Sequence, residues 1–124
     1  MRKRNLVPFE SLRRATRAKA ALVGADDSLV SVSMDFLQDK DEKSQSVLTA
    51  FIKKIEKYTW MQVKQTKGFG WETRKPPPKD WPLQVSPDEN CIHLRSSKKG
   101  RIWGFRDGDK LQVVWVDPDH KLDD

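Results

Sequence analysis

The stretch Arg101-Ile102-Trp103-Gly104-Phe105, Arg106-Asp107-Gly108-Asp109, Leu111 to Val116 and Asp117-Pro118 constrains the fold more than any other. Two apolar runs rich in β-formers and separated by Asp-Gly form a hairpin pattern. Asp117-Pro118 closes the second run, because proline lacks a donor and restrains the residue before it. Upstream, Cys91-Ile92-His93-Leu94-Arg95 reads as another strand, with a break at Ser97-Lys98-Lys99-Gly100. Three strands joined this way form an antiparallel meander. The end of the third then lies beside the start of the second. Arg101 and His120 are therefore expected at one end of the sheet, with Lys98 and Lys99 in the turn beside them.

The elements before the meander differ in period. Leu29 to Phe36 alternates, with Val30, Val32, Met34 and Phe36 on one face, which predicts a half-buried strand. Asp39 with Glu42 resembles a capping box. Val47, Leu48, Phe51, Ile52, Ile55 and Tyr58 then recur at helical spacing, predicting a helix of about 15 residues. Thr59 to Gln62 repeats the cap signature and predicts a shorter helix ending at Gly68. Pro8 to Val23 predicts a basic helix lying on the domain, with Gly24 as its stop. Residues 68–90, with Pro76-Pro77-Pro78, Pro82, Pro87, Trp71 and Trp81, read as a partly ordered loop. The order is that of an α+β fold, strand–helix–helix and then a three-stranded antiparallel meander, with an extra basic N-terminal helix. Residues 1–27 form the basic extension and residues 28–124 the domain. The meander is too apolar for a sheet with one wet face, so part of it should pack under the helices and part under the N-terminal segment.

The 124 residues suffice for one domain with a modest core. No apolar run approaches the roughly 20 residues needed to span a bilayer, and Met1 to Glu10 lacks the apolar stretch of a secretory signal. No membrane association and a cytoplasmic location are the resulting expectations. One cysteine forms no internal disulfide, and two histidines with one thiol argue against a metal site or cofactor. The formal charge of +6 is concentrated in residues 1–20, while residues 91–106 carry five bases and no acid. Such a field favours a polyanion; a solvated surface with a disordered basic arm is the plainer alternative.

The cluster of Arg101, His120, Arg95, Lys98, Lys99 and Arg106 suits RNA cleavage through the neighbouring 2′-hydroxyl. Arginine forks onto phosphate oxygens and histidine titrates near working pH. A basic sheet edge that only binds, with His120 in an exposed tail, is the competing reading. Cys91, His93 and Arg95 share a strand face, and Arg95 points to that face as the wet or functional one; a buried structural cysteine is still the better account of the thiol.

On the residues Arg101-Ile102-Trp103-Gly104-Phe105, Asp107, Val113-Val114-Trp115-Val116 and Asp117-Pro118-Asp119-His120-Lys121, the chain resembles the RelE/ParE toxin superfamily, in particular its RelE-like RNA-cleaving members. The resemblance covers about three-quarters of the chain. It implies the toxin of a toxin–antitoxin system, a metal-independent mRNA endoribonuclease (mRNA interferase). Its expected partners are mRNA, held in the ribosomal A site in ribosome-dependent members, and a cognate antitoxin. It places Arg101 as the phosphate-stabilising arginine and His120 as the acid or base, with Lys98, Lys99 and more weakly Arg95 on RNA. Two departures stand out: the chain ends Lys121-Leu122-Asp123-Asp124 without the tyrosine many members carry, and the basic helix and Trp/Pro loop exceed the minimal fold. A ParE-like gyrase inhibitor and a non-catalytic nucleic-acid-binding module are the alternatives.

Overall fold

In the computed structural model, which describes residues 25–122, five strands form one sheet beneath two helices. The order along the chain is β1 (Ser31–Ser33), α1 (Glu42–Ile55), α2 (Trp60–Gln65), β2 (Glu72–Arg74), β3 (Cys91–Arg95), β4 (Arg101–Asp107) and β5 (Lys110–Asp117). Within the sheet the strands lie in the order β1-β5-β4-β3-β2, with β1 parallel to β5 and the other pairs antiparallel. The helix expected over Pro8–Val23 lies outside the described residues.

The meander has four strands rather than three. Glu72–Arg74, in the stretch expected to be a loop, pairs with β3 through Glu72↔His93 and Arg74↔Cys91. Three residues ahead of a proline run carry too little periodicity to announce a strand; the exposed edge of β3 recruits them. The reversal between β4 and β5 is tighter than expected. Asp107 still pairs with Lys110, and Gly108-Asp109 alone forms the connection. Of these two residues Gly108 alone has a positive φ, at 68°, as in turns with glycine at the first central position.

β1 is shorter than the alternation of residues 29–36 suggests. After Ser33 the chain turns, with Leu37 N–H donating to Met34 O at 3.1 Å. Met34 is left exposed, and Phe36 swings to the opposite face of the sheet, where it meets Phe105. The segment then rejoins β5: Gln38 N–H donates to Val114 O, and Asp39 Oδ2 accepts from Val116 N–H. Asp39 is therefore a sheet ligand, and the helix cap passes to Asp41, which accepts from Ser44 N–H at 3.1 Å. The second cap is the expected box, reciprocal between Thr59 and Gln62.

Both faces of the sheet are covered. Leu48, Phe51 and Ile55 of α1, with Trp60 and Val63 of α2, bury Ile92, Leu94, Ile102, Leu111, Val113 and Val116. Each such side chain contributes roughly 1.5–3 kcal/mol by leaving water. The other face holds Cys91, Trp103, Phe105, Val114 and Trp115. Its cover, expected from the N-terminal segment, comes among the described residues from Trp81 and Val85 of the proline-rich connection, Phe36 and Leu122. Trp81 stacks on Trp115 at 5.2 Å and meets Phe105 edge-on. The expected loop is thus a lid on a second core.

A bulge adapts the hairpin to these two cores. The register slips between Trp103 and Gly104, leaving Val114 as the extra residue. Val114 and Trp115 consequently both face the second core. Glycine is required at 104, because a Cβ there would lie 2.0 Å from the carbonyl oxygen of Gln112.

Candidate functional site

Arg101 opens β4 and pairs in register with Asp117 at the end of β5, as well as with Arg95 at the end of β3. All three sit on the face away from the helices, at one end of the sheet. Beyond β5, Asp117 Oδ2 accepts from Leu122 N–H at 2.7 Å, and His120 N–H donates to Asp117 O at 3.4 Å. That turn holds His120 in a left-handed conformation, φ 57°, a conformation that costs a non-glycine residue energy and is often kept at functional sites. With Leu122 seated in the second core, the imidazole returns over the sheet. Arg101, His120 and Arg95 line one cleft of about 330 Å³.

The arginine is prepared for an anion. The residue is buried, 8% exposed, yet no carboxylate forms an ion pair with it among the described residues. Nη1 donates to Gly100 O at 3.0 Å and, at 3.4 Å, to Ser97 O and Lys98 O. The β3–β4 turn thus grips one corner of the guanidinium. Burial lowers the Arg101 pKa, and the Arg95 cation beside it adds to the shift, while Asp117 and Glu72 oppose it. Burying a charge is costly; Asp117 and Glu72 offset part of that cost, and an oxyanion in the cleft would offset more. Arg95, exposed to solvent, lies across Gly70: a Cβ at Gly70 would sit 3.5 Å from Arg95 Cβ and 3.7 Å from its Nε. Gly70 has φ 53°, so its turn supplies both the bend and the space.

Lys98 and Lys99 are exposed in the turn that wraps Arg101, at the rim rather than inside. Arg106 is not brought into the cleft. It lies near the far end of β4 on the helix face, where Nη1 donates to Asp26 Oδ1 at 2.7 Å, Nε donates to Gly108 O, and the guanidinium lies 4.1 Å from the Trp60 ring centre.

Four further residues line the cleft. Gly70, Trp71 and Glu72 fall in the stretch expected to be a partly ordered loop; His93 shares the Arg95 face, expected to be the wet or functional one, and is buried there at the cleft wall. The histidine's Nδ1 lies 3.3 Å from Glu72 Oε1. Its ring stacks on Trp103 at 4.1 Å and lies 6.3 Å from the His120 ring, nearly parallel. The signal that could have found them is the register: once β2 exists, Glu72 must stand opposite His93 on the Arg101 face. Cys91, fully buried, has its thiol pushed up to about 12 by burial and stands apart from this chemistry.

The chain matches no protein-family model, no curated protein and no solved structure. Its chemistry is read from the cleft alone. Two guanidinium groups, an accessible imidazole and a carboxylate backed by a second imidazole can bind a phosphodiester and exchange protons with it. Among the described residues, no group of three or more His, Cys, Asp or Glu side chains is placed to hold a metal ion, and no helix is long and apolar enough to cross a membrane.

Proposed function

We propose that the cleft binds a phosphodiester of RNA and cleaves it through the adjacent 2′-hydroxyl, and that the chain is the toxin of a toxin–antitoxin pair acting on mRNA. The observation that carries the reading is Arg101, a buried cation with no carboxylate in ion-pair contact among the described residues, which shares a cleft with Arg95 and His120. In this reading a non-bridging phosphate oxygen takes the free edge of the Arg101 guanidinium, and Arg95 neutralises the second. Glu72, whose side chain is 63% exposed and backed by His93, accepts the 2′-hydroxyl proton. The 2′-oxygen attacks phosphorus, the P–O5′ bond breaks, and protonated His120 delivers a proton to the leaving oxygen. The products are a 2′,3′-cyclic phosphate and a 5′-hydroxyl. Lys98 and Lys99 at the rim would track the neighbouring phosphates.

The α+β order, with one strand and two helices before the antiparallel strands, supports the likeness to RelE-like toxins. In that light an acidic antitoxin segment would cover the cationic end of the sheet, and the ribosomal A site would present the message. Expression should arrest translation and leave codon-phased 5′ ends on cellular mRNA. DNA damage with intact message would favour the gyrase-inhibitor alternative, and neither outcome would leave a nucleic-acid-binding module.

A further inference from the structure

Trp71 is a wall shared by two hollows. On one side is the arginine cleft; on the other is a second hollow of about 180 Å³, which Thr73, Asn90, Glu89, Lys64 and Arg106 also line. The register places them on opposite faces of the sheet edge, because Glu72 pairs with His93 on the arginine side while Thr73 pairs with Ile92 on the helix side. The two hollows therefore adjoin at Trp71, on opposite faces of the edge strand.

We infer that this second hollow is a nucleobase subsite that reads the nucleotide next to the phosphate held by Arg101. The inference rests on the RNA reading above. Its size is below the roughly 300 Å³ at which sites for drug-sized ligands begin, so it takes one ring system rather than a whole nucleotide. The Trp71 indole meets Trp60 at right angles at 6.0 Å, and Lys64 Nζ lies over its ring 5.3 Å from the centre, so a base that stacks there takes the place of the ammonium. Stacking on such a ring is favourable for any base. Selection then falls to edge contacts. Thr73 and Asn90 are both exposed, and an asparagine amide pairs with a base edge through a donor and an acceptor. Arg106, an expected RNA contact that the cleft does not use, borders this hollow, and its Nη2 makes no hydrogen bond among the described residues.

The test titrates isotope-labelled chain with inorganic phosphate and with four uncleavable 2′-deoxy dinucleotides that differ in the base beside the phosphate. Phosphate should move the Arg101, Arg95 and His120 resonances and leave the Asn90 amide unmoved. At least one dinucleotide should also move the Trp71 indole and Asn90 amide signals and bind about tenfold tighter than the weakest of the four. Asn90→Ala, at an exposed position, should compress that spread to about twofold while leaving phosphate binding unchanged. Four dinucleotides bound equally, or unmoved Trp71 and Asn90 signals, would overturn the subsite while leaving the cleft reading intact. Movement in the second hollow without any RNA cleavage by the wild-type chain would instead retain the subsite and remove the endonuclease.

Discussion

Arg101 carries opposing consequences for stability and for function. A guanidinium buried without a carboxylate in ion-pair contact among the described residues is held at some cost, which its corner contacts to Gly100, Ser97 and Lys98 and the more distant charges of Asp117 and Glu72 offset in part. Arg101→Ala should therefore lower RNA cleavage by about 10²–10³-fold while changing folding stability by no more than about 1 kcal/mol. Phosphate should raise the melting temperature of the wild-type chain and not of the variant, since a ligand stabilises only the state that binds it. Thermal melts with and without phosphate check both halves. Cys91 provides an independent probe at the same scale. Its thiol is pushed up to about 12 by burial, so it should resist alkylation at neutral pH in the native state and react as soon as denaturant unfolds the sheet.

At the scale of elements, the β4–β5 hairpin does the positioning, and its bulge is the fragile point. Gly104→Ala places a methyl against the Gln112 backbone, which cannot move as a side-chain end can. It should destabilise the chain by about 3 kcal/mol, read as a lowered midpoint in urea. This hairpin was also what the sequence showed most clearly. The Asp-Gly turn, the two apolar runs and Asp117-Pro118 sufficed to place Arg101 and His120 at one end, because antiparallel pairing leaves no other arrangement. The remainder depended on tertiary partners. β2 exists because β3 has a free edge, the 29–36 alternation breaks where Phe36 finds the second core, and Asp39 leaves the helix cap for Val116 N–H. Arg106 looked like a cleft residue because it is basic and close in sequence. Its place on β4 alternates with that of Arg101 to the other face, where Asp26 and Trp60 hold it.

For the whole molecule, Asp26 fastens the start of the described chain to the sheet through Arg106 and to α2 through Lys64. The Arg106 hydrogen bond is the largest influence holding its carboxyl below the usual value; burial opposes it, and Lys64 adds a smaller lowering by hydrogen bond and charge. A lowered carboxylate pKa stabilises the fold above the unfolded value near 4, and that contribution is lost as pH falls through the folded value. Asp26 is 42% exposed, so solvent screening keeps the effect of Asp26→Asn to roughly 0.5 kcal/mol at neutral pH. The difference between variant and wild type should vanish in acid, as paired urea melts at the two pH values would show.

These contacts brace the sheet whose two covered faces leave the Arg101 end open to solvent. The most direct test is cleavage of a defined message in a translation extract by wild type, Arg101→Ala and His120→Ala, with a matched message carrying one 2′-deoxy nucleotide at the cut. The wild-type chain should leave a 2′,3′-cyclic phosphate and a 5′-hydroxyl, spare the deoxy site, and lose most activity with either substitution. Cleavage that continues at the deoxy position, or that survives Arg101→Ala undiminished, would contradict the account.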